Sequence, residues 1–379
     1  MAHLQILPTF LWRHLERTYL SIHDTIKLFV GCKSFSKMFD KDYFHDKFVR
    51  SRLHRITVII RNAADVIDDV QLWIDALSSI NGCDTIDAMF NFVCNNQFIV
   101  KKDYIILMAG GLYQGGSFYG GTHTGYHMEH DLIGNDITKK YNYKIIGSDD
   151  MSNPTTIKLG NPHENLPNAV NYIHFAVPTF LSISNVIFDN TICKVSKFSL
   201  YCSMLINDSK LNCTIDKCIF NKSKLSFSGA DKCMIINSEF NESCVDFYNH
   251  AEVISIVSPA IVLDCIISDC TFNCRSNYCF GITGRFNSIF KSSSLFNIKN
   301  NTINNTDIHE LISLIKLNTS SLPRIKISDN NFANMTQLSR NGEGLKKMLL
   351  DDTNIFDRCG TEMTRHVMHV DNKTSCSIM

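Results

Sequence analysis

The amino-acid sequence predicts a mainly β protein in which the segment from about Tyr172 to Met335 forms a right-handed parallel β-helix. The main observation is a repeat: an isoleucine is followed, five positions later, by an aromatic or aliphatic residue and usually then by Asn or Asp. The repeat occurs as Ile183–Phe188, Ile215–Phe220, Ile235–Phe240, Ile267–Phe272, Ile298–Ile303 and Ile327–Phe332. Successive isoleucines are about 20 to 32 residues apart, which matches one coil of a solenoid with or without an inserted loop.

Two residues five positions apart point to opposite sides of a continuous strand, so both can face one core only if the chain bends between them. A β-helix coil provides this bend, and the stacking of coils places Ile on Ile and Phe on Phe. The Asn after each Phe is expected at a turn, in the left-handed conformation, with a hydrogen bond to the next coil. The same role explains the glycosylation-like sequons at Asn207, Asn212, Asn221 and Asn241.

A β-sandwich and a leucine-rich repeat are the alternative architectures, because both also use short strands separated by turn residues. The recurring positions hold Ile and Phe rather than regularly spaced leucines, and hairpin signals such as Asn-Gly are few. These two features favour the β-helix.

Residues 55–160 are predicted to hold a capping helix and the first coils, 161–336 the main coils, and 337–379 a C-terminal cap and tail. The helix is predicted by the spacing of Val66, Val70, Trp73, Ile74 and Leu77. The segments 104–113 and 143–150 each have the pattern of a strand that runs into a turn. This order resembles the first coils of pectate-lyase-like β-helices, and the residues that carry the resemblance are Gly111, Tyr113, Ile146 and Gly147.

Residues 1–54 are predicted to form a separate domain of three short helices, because apolar residues recur there at helical spacing. Pro8 suits a first helical turn, and Ser21 with Asp24 forms a capping-box-like start to the second helix. The ordered string that resembles an F-box is Leu7-Pro8, Asp24, Leu28, Val30 and Gly31-Cys32-Lys33-Ser34-Phe35. It departs from the F-box pattern at Phe35, where the usual residue is tryptophan.

The F-box resemblance implies a partner. An F-box docks on a Skp-type adaptor, which connects it to a cullin-based ubiquitin ligase. By this resemblance, the residues that face the adaptor or shape its binding surface are Leu7, Pro8, Leu11, Leu28 and Val30. An F-box beside a β-helix resembles substrate-receptor subunits of ubiquitin ligases, a combination also seen in proteins of large DNA viruses.

Charge, the N-terminal residues and the cysteine content indicate which binding partners and which cellular compartment to expect. Lysine plus arginine equals aspartate plus glutamate at 37 each, so net charge gives no reason to expect nucleic acid as a partner. Arg13, His14, Glu16 and Arg17 interrupt the apolar start before a signal-peptide core could form. We therefore expect a cytoplasmic protein whose 15 cysteines are mostly reduced, apolar core residues.

Three groups of residues have the composition of a chemical site. Asp264, Asp269 and Arg275 are the best local set for carbohydrate chemistry, but turn carboxylates and a solvated arginine are the favoured interpretation, because aspartate is frequent at coil corners. A Gly-rich segment carries weak candidate zinc ligands, with a solvated loop as the favoured interpretation: His123, His127, Glu129 and His130. Four cysteines are expected to be core thiols: Cys265, Cys270, Cys274 and Cys279. No catalytic residue, metal or cofactor is expected.

The last four residues, Cys376-Ser377-Ile378-Met379, fit a prenylation box in which the terminal methionine favours farnesyl. Farnesyltransferase is therefore an expected partner, and Cys376 the expected site. One farnesyl chain gives only weak, reversible membrane association, for which Cys359 is a candidate second acylation site.

The sequence therefore predicts a non-enzymatic F-box subunit whose β-helix selects a protein substrate for ubiquitylation. Two alternatives stay open. One is a carbohydrate-active, pectate-lyase-like β-helix enzyme, and the other is a structural or attachment solenoid with an unrelated helical cap.

Overall fold

The computed structural model describes residues 55–62, 82–83, 85–95, 102–115, 118–119, 123–128, 141–159, 170–176, 180–189, 197–203, 211–228, 230–249, 264–275, 278–284, 294–306, 313–318, 324–339 and 348–359. The predicted F-box helices of residues 1–54, the predicted capping helix around Trp73 and the C-terminal Cys376 lie outside these ranges.

Twenty-nine short strands and one helix make up the described part of the chain. The first elements are β1 (Ile56–Asn62), β2 (Gly82–Cys83), α1 (Ile86–Asn95), β3 (Lys102–Met108), β4 (Gly111–Gly115), β5 (Phe118–Tyr119), β6 (His123–Met128), β7 (Tyr141–Ile146), β8 (Thr155–Leu159) and β9 (Val170–Ala176). The middle elements are β10 (Phe180–Ser184), β11 (Val186–Asp189), β12 (Lys197–Ser203), β13 (Leu211–Asp216), β14 (Ile219–Asn221), β15 (Ser223–Ser228), β16 (Ala230–Ile236), β17 (Glu239–Asn241) and β18 (Cys244–Asn249). The last are β19 (Asp264–Ser268), β20 (Thr271–Cys274), β21 (Tyr278–Gly284), β22 (Leu295–Lys299), β23 (Thr302–Asn305), β24 (Ser313–Asn318), β25 (Arg324–Ser328), β26 (Asn331–Ala333), β27 (Gln337–Ser339), β28 (Met348–Leu350) and β29 (Ile355–Asp357).

These strands form three long sheets, and the chain visits the three in turn. Sheet A has the order β2-β1-β3-β7-β10-β13-β16-β19-β22-β25-β28. Sheet B has the order β4-β8-β11-β14-β17-β20-β23-β26-β29, and sheet C the order β5-β6-β9-β12-β15-β18-β21-β24-β27. After the first coil, in which β3 pairs with β7 and β4 with β8, every strand from β6 onward pairs in parallel with the third strand after it. This is the topology of a parallel β-helix, with the right-handed crossover that parallel strands adopt. The β-helix prediction is confirmed.

The Ile–Phe repeat forms the core, as predicted. Ile183 pairs with Ile215 in sheet A, and Phe188 pairs with Phe220 in sheet B. The phenylalanine rings stack along the axis: the ring centroids of Phe220 and Phe240 are 4.9 Å apart, and the rings are nearly parallel at 6°. All of these side chains are buried. Stacking of identical residues fixes the register, because a slip of one residue would turn every core side chain outward.

The bend inside each repeat falls at a residue with positive φ. Between sheets A and B the residues in this conformation are Asn185, Lys217, Asn237, Asp269, Asn300 and Asp329. The bend was predicted correctly. The Asn after Phe was expected to be the left-handed residue at a turn, and in most coils this expectation is wrong. Asn221 and Asn241 are the last residues of strands β14 and β17, and the left-handed residues are their neighbours Lys222 and Glu242. The expected hydrogen bond between coils does form, from Asn241 Nδ2 to Asn221 Oδ1 at 2.9 Å.

A second ladder is buried at the corner between sheets A and B. Asn301, Asn330 and Asn354 occupy equivalent positions in successive coils and are at most 7% exposed. Asn330 Oδ1 accepts from the backbone N–H of Asn301 at 2.9 Å, and Asn330 Nδ2 donates to the carbonyl of Ile298 at 3.0 Å. These amides therefore satisfy backbone groups that the bend removes from the sheets.

The two ends of the solenoid differ from the middle. At the first coil, β1 pairs with β3 in an antiparallel manner, and Tyr113 donates its hydroxyl hydrogen to the carbonyl of Arg55 or of Ala109. The short helix Ile86–Asn95 packs here, a helix that the sequence analysis did not predict. At the other end the coils continue past residue 336 to Asp357 through β28 and β29. Within the described residues, no helix is long and apolar enough to cross a membrane.

Candidate functional site

The outer face of sheet C carries a buried charged cluster. Val245 and Phe247 on β18 point into the core, so Asp246 between them points outward. Outward side chains of a solenoid normally meet solvent, but Asp246 is only 3% exposed. Burial of a carboxylate on an outer face is costly unless charged and hydrogen-bonding groups surround it.

Among the described residues, the side chains of Lys224 and Tyr278 contact the carboxylate of Asp246. Lys224, which lies on the preceding coil, places its Nζ 2.5 Å from Oδ2 of Asp246. Tyr278, on the following coil, donates its hydroxyl hydrogen to the same Oδ2 at 3.2 Å. The cluster therefore spans three successive coils, and the β-helix fixes their spacing at about 4.8 Å per coil.

The next outward position in the same row is a glycine, and its lack of a side chain shapes the cluster. Gly281 pairs in register with Asp246, and a Cβ at Gly281 would collide with Oδ1 of Asp246 and lie 3.1 Å from Cε2 of Tyr278. The carboxylate and the ring thus occupy the space that a side chain would take. Lys316 follows in the row, and its Nζ lies 5.1 Å from the centre of the Tyr278 ring, within cation–π range.

A hydroxyl without a partner adjoins this group. Ser226 pairs in register with Asp246 and is 1% exposed, and its Oγ has no hydrogen-bond partner among the residues described. A buried hydroxyl without a partner costs roughly 1 to 3 kcal/mol. In a native structure such a group calls for an explanation, and a bound polar ligand is one.

The neighbouring corner between sheets B and C is also charged. The Glu242 carboxylate lies 3.9 Å from the Lys222 ammonium and 3.8 Å from the Arg275 guanidinium, and all three side chains are partly exposed. On the other side of this corner, Asn241 and Asn273 continue the outer amide ladder of sheet B, with Asn273 Nδ2 donating to Asn241 Oδ1 at 2.7 Å. The charged cluster and the amide ladder therefore lie on adjoining faces of the same coils.

The proposed catalytic set is not gathered into one site. Asp264 lies on the outer face of sheet A, Asp269 lies at the bend that follows that strand with φ of 58°, and Arg275 follows β20 of sheet B. Asp269 accepts a hydrogen bond from Asn300 Nδ2 of the next coil, which is the turn role that the simpler interpretation assigns to it. Arg275 points toward Glu242 instead of toward either aspartate.

The histidine segment is only partly described. His123 and His127 lie on β6, where His127 pairs in register with His174 of the next coil, and Glu129 and His130 lie outside the described ranges. No group of three or more His, Cys, Asp or Glu side chains that could hold a metal is present within the residues described.

The four cysteines of the sixth coil have two different roles. Cys265 and Cys270 are buried thiols, as expected, and burial raises the pKa of Cys270 to about 12. Cys274 and Cys279 instead form a disulfide across the connection between sheets B and C, so the expectation of four thiols is wrong for this pair. The pair encloses residues 275–278 and therefore restrains Tyr278, which contacts Asp246.

The remaining predicted positions are mostly not described. The adaptor-facing residues and Cys376 lie outside the described ranges: Leu7, Pro8, Leu11, Leu28 and Val30. The candidate acylation site Cys359 is described, and its half-buried thiol has a raised pKa because of burial. Its Sγ lies 3.5 Å from the carbonyl oxygen of Phe332, inside the last coil.

The Asp246 cluster was not predicted from the sequence. One signal was present: an aspartate stands between two apolar residues in Cys244-Val245-Asp246-Phe247-Tyr248, which marks it as outward-facing if the segment is a strand. The alignment of Lys224 and Tyr278 with Asp246 depends on separations of 20 and 35 residues between sheet C register partners, which local patterns do not reveal.

Comparison with known proteins finds only solved structures of low similarity. No protein-family model matches the chain, and no curated protein matches it. Among solved structures, the tailspike protein of Escherichia coli bacteriophage HK620 aligns in complex with a pentasaccharide, with 12% identity and a TM-score of 0.24. A mutant of the same tailspike, also with pentasaccharide, aligns with 12% identity and a TM-score of 0.26. In both alignments 78% of this chain is covered, and the chain spans 64% of the tailspike's length.

Proposed function

We propose that this chain is a non-catalytic attachment solenoid that binds a carbohydrate on the outer face of sheet C. The observation that carries the proposal is the buried group of Asp246, Lys224 and Tyr278, with the unpartnered hydroxyl of Ser226 beside it. A buried ion pair contributes little to stability by itself, so its place on an outer face favours a role in binding.

The chemistry of the cluster suits sugar hydroxyls. A sugar hydroxyl donates one hydrogen bond and accepts others, so its recognition needs acceptors and donors held side by side. Lys224, with 23% of its side chain exposed, supplies donors, and the hydroxyl oxygen of the partly exposed Tyr278 supplies an acceptor, while the buried Asp246 carboxylate holds both side chains in place. Because all of these side chains project from strands of a rigid solenoid, little conformational entropy is lost when a ligand binds.

The same cluster argues against hydrolysis. Glycoside hydrolysis uses two carboxyl groups that flank the scissile bond, about 5 to 9.5 Å apart. The cluster contains one carboxylate among the described residues, and the nearby Glu242 interacts with Lys222 and Arg275 at the corner. We therefore expect binding without turnover.

The test is a direct binding measurement. The purified full chain is screened on an array of bacterial and eukaryotic oligosaccharides, and the strongest binder is titrated by calorimetry. Asp246→Asn keeps the shape of the side chain but removes its charge, and we expect it to weaken binding at least about tenfold, as loss of a charged hydrogen bond does. Asp189→Asn is the matched control, because Asp189 forms a 2.9 Å ion pair with Lys158 on sheet B. Equal binding by wild type and Asp246→Asn, or no binding to any oligosaccharide, would contradict the proposal.

The sequence supports a second function, recruitment of a protein substrate to a ubiquitin ligase. It depends on the F-box-like order of Leu7, Pro8, Leu28 and Val30. In that function the chain acts in the cytoplasm, with a Skp-type adaptor and a cullin as partners, and a farnesyl group on Cys376 brings part of it to membranes. Affinity purification of the tagged full chain separates the two functions: recovery of a Skp-type adaptor supports recruitment, and its absence leaves attachment.

A further inference from the structure

The outer face of sheet A exposes an apolar patch. Met234 on β16 is 41% exposed, and Ile236, Ile266 and Leu295 beside it are partly exposed. These four residues lie on three neighbouring strands, β16, β19 and β22, so the patch is continuous along the axis. An exposed apolar patch with a polar rim is typical of a protein–protein interface.

The outward side chains of six strands, β10 to β25, form three parallel rows. The first row is Phe180, Asn212, Lys232, Asp264, Leu295 and Arg324. The second row is Ser182, Thr214, Met234, Ile266, Asn297 and Lys326. The third row is Ser184, Asp216, Ile236, Ser268, Lys299 and Ser328. Charges of opposite sign thus flank the apolar patch at both ends of the strands.

We propose that this face binds a second copy of the chain in an antiparallel, two-fold symmetric dimer. The symmetry axis runs parallel to the strands, midway between β16 and β19. It reverses the order of the coils and keeps each row opposite itself. Lys232 then faces the partner's Asp264, and Met234 faces the partner's Ile266.

The outer coils are complementary in the same arrangement. Asp216 faces the partner's Lys299, and Arg324 faces the partner's Phe180, a pair suited to a cation–π contact. Lys326 faces the partner's Ser182. Across all six strands no two like charges face each other. On the two central strands Met234 faces the partner's Ile266 and Ile236 faces the partner's Ser268, while Leu295 on the next strand faces the partner's Asn212.

Other arrangements of two copies lack this match. An axis through β16 itself places Lys232 opposite the partner's Lys232, and an axis through β19 places Asp264 opposite the partner's Asp264. An axis along the solenoid exchanges the first and third rows, so that Lys232 faces the partner's Ile236 and no ion pair forms. Like charges in contact are destabilising, so complementarity selects one register.

The charges are available for such contacts. Lys232 and Asp264 are neighbours in register, yet no ion pair joins them within the described part of the chain. Lys232 and Lys299 are exposed. A surface that served only as a solvated face would have no reason to be complementary to itself, whereas a two-fold interface requires it.

The expected dimer is weak. Six strands of five residues cover about 24 Å by 17 Å, or roughly 400 Å² of flat footprint per copy, at strand spacings of about 4.8 Å and about 3.3 Å per residue. The two copies together then bury roughly 800 Å², which is below the range of stable specific interfaces and typical of a weak, transient one. We expect a dissociation constant in the micromolar range.

Sedimentation equilibrium of the full chain up to about 200 µM tests the proposal, and we expect a monomer–dimer equilibrium within that range. Lys232→Asp and Asp264→Lys each place like charges opposite each other at two symmetric contacts, and each is expected to weaken dimerisation at least about tenfold. The double variant Lys232→Asp/Asp264→Lys exchanges the two charges and is expected to return to within about threefold of wild type.

Monomeric wild type at the highest concentration, or a double variant as weak as the single ones, would overturn the proposal. Thermal melting followed by circular dichroism checks that each variant folds. If the charge variants unfold, Met234→Glu replaces them, with Met151→Glu as its matched control because Met151 is 79% exposed in the turn between β7 and β8, outside the six strands of the face. Met234→Glu must then abolish the dimer and Met151→Glu must preserve it.

Discussion

Phe240 is the residue whose removal tests the stacked core most directly. Its side chain is 0% exposed, and its ring lies between those of Phe220 at 4.9 Å and Phe272 at 4.6 Å, with interplanar angles of 6° and 5°. Truncation of a buried phenylalanine to alanine costs about 3 to 5 kcal/mol through lost burial and the cavity left behind. Loss of the two ring–ring contacts adds about 0.5 to 1.5 kcal/mol for each contact. We therefore expect Phe240→Ala to lower the free energy of unfolding by about 4 to 6 kcal/mol.

The assay for Phe240→Ala is urea unfolding followed by circular dichroism. Ile355→Ala provides the control, because Ile355 is 64% exposed at the last coil and its loss should leave the midpoint nearly unchanged. With a slope of about 3 kcal/mol per molar urea, a loss of about 4 to 6 kcal/mol lowers the midpoint by about 1.3 to 2 M. A fall of less than about 0.5 M would mean that Phe240 is not stacked between two rings, and the register of sheet B would be wrong.

Two further predictions concern buried polar groups. Asn330→Ala leaves the Asn301 backbone N–H and the Ile298 carbonyl without their hydrogen-bond partner, so it should lower the free energy of unfolding by about 2 to 5 kcal/mol. The neighbouring Asn331 is exposed, so Asn331→Ala should have almost no effect in the same urea assay. Burial raises the pKa of the Cys218 and Cys270 thiols to about 12, so both should resist iodoacetamide in the native chain at pH 8 and react only after unfolding, as mass spectrometry of the labelled peptides would show. Because the unfolded thiols titrate near 9.0, the native state retains these protons longer and loses stability as the pH rises from that value toward 12; rapid native labelling would contradict the burial of both residues.

The coil architecture was predictable because core positions must repeat. Ile215 and Phe220 are followed in the next coil by Ile235 and Phe240 at the same positions. Because these residues stack in register, the face of each strand that carries them must be the buried one. The place of each bend was harder to predict from composition. The left-handed conformation falls on Lys217, Lys222 and Glu242 as well as on Asn, because the coil geometry imposes it whatever residue stands there.

The candidate sites were less predictable, because outward positions carry no periodic requirement. Asp246, Lys224 and Tyr278 come together only when the number of residues in each coil is known. Loop length within a coil varies freely, since a longer loop costs little additional entropy. The disulfide between Cys274 and Cys279 has the same origin: two cysteines that look like core thiols meet because the chain turns from sheet B to sheet C between them.

A solenoid with three flat faces can assign a different task to each face. Sheet A carries self-complementary charges around an apolar patch, and sheet C carries a buried ion pair with an unpartnered hydroxyl. Residues on different faces share only the core between them, so substitutions at Lys232 and at Asp246 should act independently on self-association and on ligand binding. If the two faces work together, an antiparallel dimer presents two copies of the sheet C site on one rigid body. Binding to a surface that displays many copies of the ligand then gains from effective concentration without any new contact, which is how a weak site can support attachment.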